Sequence, residues 1–360
     1  MSAASLAPLT TVAVGGPARC YVEAKSEAGI IDAVRSADDA GEPLLIIGGG
    51  SNLVIADDGW PGTVLRIAGT GYSVDDGGSG TVRLRAEAGQ PWDELVDLAV
   101  RHGWSGLEAL SGIPGLTGAT PVQNVGAYGS DVSHTIASVR TWDREGQAVK
   151  TFANAELDFG YRDSVLKRST VNGSPRYVVL SVEFRLEQDR LSAPVRYAEL
   201  ARSLGVEAGQ RAGAAEVRRE VLRLRASKGM VLDAADRDTF STGSFFTNPI
   251  VDPAVADTLP ENAPRWPAGG QVKLSAAWLI DHAGFGKGFG LAGTANGRLD
   301  GFAVARGRAS LSTKHTLAIS NRGNATAADI LAIARTVRDG VEDAFGIRLQ
   351  PEPLLINCSL

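Results

Sequence analysis

Ser244 stands in Thr242-Gly243-Ser244-Phe245-Phe246-Thr247-Asn248-Pro249, a hydroxyl between a glycine and two phenylalanines, with a carboxamide four residues on. A hydroxyl among apolar rings is poorly solvated and suited to passing a proton where water is excluded. It is a weak acid, so it needs a neighbouring cation or amide to favour its ionised form. Three other segments hold groups of the right kind: Gly48-Gly49-Gly50-Ser51-Asn52, Phe159-Gly160-Tyr161-Arg162-Asp163 and Pro351-Glu352-Pro353. Arg162 is a permanent cation that suits either a surface ion pair or a positioned charge. The prolines around Glu352 restrict the backbone on both sides and so direct its carboxylate, as a rigid surface loop also would.

The glycines supply a different capability. The apolar run Leu44-Leu45-Ile46-Ile47 leads straight into Gly48, and several N–H groups at one such turn can converge on a pyrophosphate without side-chain obstruction. Tight turns use glycine too, and the pattern is neither the GxGxxG of a Rossmann unit nor a P-loop. A second loop, Ser111-Gly112-Ile113-Pro114-Gly115 through Gly118, runs on into Pro121-Val122-Gln123-Asn124-Val125-Gly126-Ala127-Tyr128-Gly129. It adds more close-approach backbone and two carboxamides, so the pair of loops reads as a dinucleotide cradle.

The elements that must carry these groups follow an α+β pattern. Ser26 caps a helix expected over 27 to 40 that Gly41 stops, and Leu44 to Ile47 forms a buried strand. Val82, Leu84, Ala86 and Ala88 alternate as a strand, after which Pro91 opens a helix ended by Gly103. A hairpin over 138 to 152 turns at Arg144-Glu145-Gly146-Gln147, and Val178 to Leu186 gives the clearest period-two strand. Residues 188 to 215 are polar and alanine-rich. Val217, Val221 and Leu224 then mark a helix expected to link two domains. Thr326 with Asp329 starts a long final helix, and Leu349 to Ile356 returns as a strand. The glycine-rich stretch 284 to 308 is the expected mobile loop, and no internal repeat is evident.

Composition narrows the class. A chain of 360 residues, 44% hydrophobic and 21% charged, has material for two or three packed units and no apolar run of membrane-spanning length. The opening MSAASLAPLTTVAVGG lacks the basic start and apolar core of a secretion signal, which points to the cytoplasm. Cys20 and Cys358 read as free thiols, with no metal-ligand spacing around them. A net charge of -5 argues against nonspecific nucleic-acid binding, so any anionic ligand must be met by local cations. Arg225 and Lys228, three apart near a helix end, are such a pair, although helix-dipole compensation gives the same pattern.

Together the segments GGGSN, IPG…PVQNVGAYG, FGYRDS, TGSFFTNP and PEP resemble the UDP-N-acetylenolpyruvoylglucosamine reductase family of flavoenzymes, in the right order and from Thr10-Thr11 to Glu352. The resemblance implies a two-part FAD-binding domain of the vanillyl-alcohol-oxidase type and a C-terminal α/β substrate-binding domain. The expected bounds are 1–66, completed by 350–360, then 67–225 and 226–349. Non-covalent FAD is expected at Gly48, Gly49, Gly50, Ser51, Asn52, Ser111, Gly112, Pro114, Gly115, Gly118, Gln123, Asn124, Gly126, Tyr128 and Tyr161.

By the same resemblance Ser244 is the proton donor, and Arg162 and Glu352 stabilise the enol. Tyr197, Arg225, Lys228, Asn248, Lys273 and His315 fall on substrate contacts. The implied reaction uses NADPH to reduce an enolpyruvyl ether of UDP-N-acetylglucosamine to UDP-N-acetylmuramate, and a monomer is expected. A sugar or alcohol oxidase of the same fold is the alternative. One departure concerns Leu354, where related reductases often carry arginine, and another the length of 284 to 308.

Overall fold

The computed structural model describes residues 4–171 and 173–360. Two compact units divide the chain. The first holds Ala4 with residues 18–50 and 60–227, and the second holds 5–17, 51–59 and 228–360.

In the first unit three parallel strands run side by side, with Trp60–Ile67 between Pro17–Ala24 and Leu44–Ile47. The crossover is the helix Glu27–Asp39, whose first turn is held by Ser26 accepting the Gly29 N–H. A larger antiparallel sheet follows in the order Ala148–Ala153, Ile136–Asp143, Tyr177–Gln188, Thr81–Glu87, Tyr72–Gly78. Thr81–Glu87 alternates buried and exposed residues as a half-covered sheet requires. The helix Trp92–His102 supplies the cover, with Trp92, Leu95, Val96 and Ala99 inward and Gly103 closing it in a left-handed conformation. Trp92 packs 5.8 Å from Phe184 and donates its indole N–H to the Leu110 carbonyl at 3.1 Å.

A smaller core joins two helices of this unit, Ala198–Leu204 and Ala214–Ser227, through Leu200, Val217, Val221 and Leu224. Sequence periodicity missed the shorter one, because seven residues do not establish a helical period. The Ala214–Ser227 helix, expected as an inter-domain link, belongs wholly to the first unit.

The second unit is built around the helix Ala327–Phe345, started by a capping box between Thr326 and Asp329. The Asp57 carboxylate adds a second cap, accepting the Ala327 and Ala328 N–H groups at 2.7 and 3.0 Å. Ile330, Ile333, Val337 and Val341 pack with Phe285, Phe289, Leu279 and Ile280. The C-terminal strand is only Leu354–Ile356, parallel to Leu53–Ile55, since Pro351 and Pro353 offer no N–H to lengthen it. The stretch expected as a mobile loop is structured. It contains a two-residue hairpin, Ala295–Asn296 with Leu299–Asp300, and the short helix Gly301–Ala305 capped by Asp300. Among the described residues no helix is long and apolar enough to cross a membrane.

Gly340 lies inside the long helix, and a β-carbon there would sit 2.5 Å from the ring of buried Phe285. Alanine would gain about 1 kcal/mol of helix propensity. Forcing a methyl against a buried ring costs about 1–3 kcal/mol. Gly340→Ala is therefore expected to lower unfolding free energy in a denaturant titration, and a rise in stability would show that Phe285 yields freely.

Candidate functional site

The two glycine loops meet within the first unit. A β-carbon on Gly49 would lie 2.7 Å from the Gly115 Cα, and one on Gly48 would touch the Leu116 side chain. Gly50 has φ +60 and Gly115 φ +120, in the region that favours glycine. Among the described residues no acceptor takes the N–H groups of Gly49 or Gly50, so this turn offers donors to a ligand.

The second loop is held differently along its length. Ser111 is fully buried and donates its hydroxyl to the Glu108 carbonyl at 2.7 Å. The Gly112 N–H goes to the Asp93 carboxylate at 2.6 Å, and Gly118 donates to the Ala88 carbonyl at 2.9 Å. Pro114 has no N–H. Ser111, Gly112 and Gly118 thus anchor the loop, while Gly115 makes the close approach. Glu108 itself is buried and accepts N–H groups from Gly106 and Ala193, and burial raises its pKa.

Three residues that are not glycine adopt left-handed backbone around the continuation of this loop: Asn124 (φ 47), Tyr128 (φ 51) and Arg162 (φ 54). Each such conformation costs on the order of 1 kcal/mol or more and persists only where the surroundings enforce it. Asn124 is locked by donating to the Gly160 carbonyl and accepting from the Ser133 N–H, both at 3.1 Å. Gly160 and Asp163 bond to each other across a tight turn that lifts Arg162, whose guanidinium donates to the Gly126 carbonyl at 3.1 Å. Tyr161, in the same turn, is exposed. Gln123 is half-buried beside Asn124.

Positive charge gathers at this place. Tyr128 and Tyr197 meet edge to face at 5.5 Å. Burial pushes the Tyr128 phenol up to about 12, against the pull of the nearby Arg225. Burial lowers the Arg225 pKa to about 10, and Arg162 adds repulsion while Tyr128 and Asp93 oppose the shift. Arg225 remains charged at neutral pH. Two guanidiniums felt by one another suit an anionic dinucleotide or diphosphate. The helix ends at Ser227, so Lys228 lies just beyond it rather than on a shared helix face with Arg225.

The second unit assembles the other group of residues. The chain at 244–247 runs between two segments: Ser244 bridges Ala318, Phe245 donates to the Leu317 carbonyl, and Phe246 bridges Pro351. The Phe245 carbonyl accepts the Glu352 N–H at 2.8 Å, which sets Glu352 beside the residue that follows Ser244. Asn52 tightens the arrangement by donating to the Glu352 carbonyl at 3.3 Å and accepting the Leu354 N–H at 3.0 Å. Leu354 is consumed by strand pairing in the position where related reductases often carry arginine.

The phenylalanines do not enclose the serine. Both rings are buried, 5.2 Å apart, while Ser244 stays half-exposed at the edge of the core. Asn248 accepts the Ala276 N–H at 3.0 Å and so tethers the helix Ala276–His282. Lys273 lies on the strand Gln271–Leu274 with its ammonium 6.0 Å from the Trp266 ring. His315 stands in the turn of the hairpin Ala309–Leu311 and Ile319–Asn321, which also carries the partner of Ser244. Thr242, two residues before Ser244, has a buried hydroxyl with no hydrogen-bond partner among the described residues. Asp93 and Glu108, which hold the second loop, gave no signal in the sequence, since their partners are distant or are backbone.

Residues 18–151 match the FAD binding domain family, and residues 235–356 match the UDP-N-acetylenolpyruvoylglucosamine reductase C-terminal domain. A UDP-N-acetylenolpyruvoylglucosamine reductase of Cutibacterium acnes is 51% identical, over 99% of this chain and 90% of that one. One of Saccharopolyspora erythraea is 53% identical, over 99% and 95%. The crystal structure of the reductase from Thermus caldophilus superposes with a TM-score of 0.65 at 25% identity, covering 98% and 97% of the two chains. With loops suited to an anionic dinucleotide ahead of a matching C-terminal domain, this chain belongs to the UDP-N-acetylenolpyruvoylglucosamine reductase family and is an FAD-dependent oxidoreductase.

Proposed function

We propose that the protein reduces the enolpyruvyl ether of UDP-N-acetylglucosamine to UDP-N-acetylmuramate with NADPH, in the cytoplasm, as a step of peptidoglycan precursor synthesis. The observation that carries this reading is the hydrogen bond from the Glu352 N–H to the Phe245 carbonyl, which sets the proposed carboxylate beside the proposed proton donor. FAD, when bound, supplies the two-electron carrier that takes hydride from NADPH and gives it to the vinyl carbon of the substrate.

The chain's own residues do the rest. Gly48, Gly49, Gly50 and Gly115 bring backbone close to the cofactor's pyrophosphate, and Arg225 meets the substrate diphosphate with Tyr197 beside it. Lys228, Asn248, Lys273 and His315 orient the sugar nucleotide. Arg162 stabilises the charge that develops on the enolpyruvyl carboxyl as hydride arrives, and Glu352, as the neutral acid, donates a hydrogen bond to the enol. Ser244 Oγ then gives its proton to the carbon next to the reduced one and regains it from solvent, which its half-exposed position allows.

Two half-reactions separate these roles. Ser244→Ala is expected to bleach normally with NADPH under anaerobic conditions and then to reoxidise at least about 100-fold more slowly with the enolpyruvyl sugar nucleotide. Near-normal reoxidation would remove Ser244 from the chemistry. A protein bleached by a sugar or alcohol but not by NADPH would be an oxidase instead.

Arg162→Gly relieves a left-handed backbone and should leave thermal stability unchanged or raised, by about 1 kcal/mol. Turnover should nevertheless fall by about 100-fold or more, the usual cost of losing a charge-stabilising donor. Intact turnover in a folded Arg162→Gly protein would assign the strain to the fold alone.

A further inference from the structure

We propose that Asp93 and Arg218 are positioning residues, a half-buried clamp that ties the second glycine loop to the helix bearing Arg225. The proposal rests on the reading of that loop and of Arg225 as cofactor and diphosphate contacts. Asp93 opens the helix Trp92–His102, and its Oδ1 accepts both the Gly112 N–H and an Arg218 Nη1–H at 2.6 Å. Its Oδ2 accepts Arg218 Nη2–H at 2.9 Å, and Arg218 Nε lies 3.2 Å from Asp97, one turn along the same helix.

A planar guanidinium is thereby gripped on two edges by two carboxylates, a geometry that a single ammonium cannot reproduce. The Arg218 side chain is only 13% exposed. Exposed ion pairs are screened by solvent and fix little. Here the guanidinium is largely buried while the Asp93 carboxylate keeps 39% exposure, and that carboxylate is shared with a loop amide, so displacing Asp93 takes this partner from both Arg218 and the Gly112 N–H.

What the clamp holds follows from helix geometry. Arg225 lies seven residues after Arg218 on the helix Ala214–Ser227, two turns along the same face. Asp93 faces that stripe and attracts both arginines. At its other end the clamp fixes Gly112, three residues before Gly115, whose backbone closes against Gly49. One carboxylate therefore sets the loop and the cation in register, without touching either ligand.

Flavin release from the holoenzyme, followed by the rise of free-FAD fluorescence, tests this directly. Asp93→Asn and Arg218→Met are each expected to release flavin about 10-fold faster and to raise KM for the sugar nucleotide about 10-fold with kcat changed less than 3-fold. Arg218→Lys, which keeps charge but not the two-edged grip, should fall between Met and the wild type. The double variant Asp93→Asn with Arg218→Met should be no worse than either single one, as expected for two residues acting as a unit. A merely structural pair would lower the melting temperature while leaving flavin release and KM within 2-fold at 25 °C, and that result overturns the proposal. Wild-type protein that holds no flavin would instead overturn the underlying reading. If Asp93→Asn fails to fold, the Arg218→Lys measurement decides alone: unchanged release and KM reject the clamp.

Discussion

No β-carbon fits between Gly49 and Gly115, and much of the first unit is arranged around that contact. For two backbone turns to approach so closely, each must be fixed from outside the loop. The first is fixed by the parallel ladder that ends at Ile47, paired with Arg66. The second is fixed by a chain of backbone bonds, Trp92 to Gly115, Thr117 to Gln90 and Gly118 to Ala88, that continue the edge of the strand Thr81–Glu87. The packing of Trp92 on Phe184 under the sheet then determines where Gly115 lies. Burial of large side chains in this core is thus converted into the position of a few peptide groups, which is what an anion site made of backbone requires.

The second unit uses the same device with different chemistry. Its proposed acid and carboxylate sit on segments too short to be called strands, yet each is paired by main-chain bonds to its neighbour. The buried Phe245 and Phe246 hold the middle segment down, and the prolines around Glu352 keep it from joining a longer ladder. Rigid side chains therefore emerge from irregular backbone. The left-handed residues Asn124 and Arg162 of the first unit make the same point from the side of strain, since each is locked by bonds made elsewhere in its unit.

What was legible in the sequence is what local chemistry determines. Ser26, Gly103 and the Thr326–Asp329 box mark helix ends because capping bonds span three or four residues. The strand 44–47 was legible as a continuous apolar run, and 177–188 by the period-two alternation of Val178 to Leu186. Tertiary facts were not. The clamp joins positions 93 and 218, the Asp57 cap serves a helix 270 residues away, and nothing near either acid announces its partner. The motif around Ser244 gave the right neighbours and the wrong environment: both rings are buried while the hydroxyl stays near water. The segment 284 to 308 looked mobile because glycine was read as freedom. Gly290 and Gly301 are instead crowded, with a β-carbon at 2.7 and 2.6 Å from neighbouring atoms, and serve close packing.

Electrostatics gives the sequence-level charge its meaning. A chain with net charge -5 repels anions on average, so an anionic ligand must be attracted by a local exception. The exception is costly to keep, because Arg225 is desolvated and repelled by Arg162. Asp93 and the polar Tyr128 only partly offset that cost. The oxygens of a bound diphosphate would supply part of the solvation that burial removes from Arg225 and would offset its repulsion by Arg162.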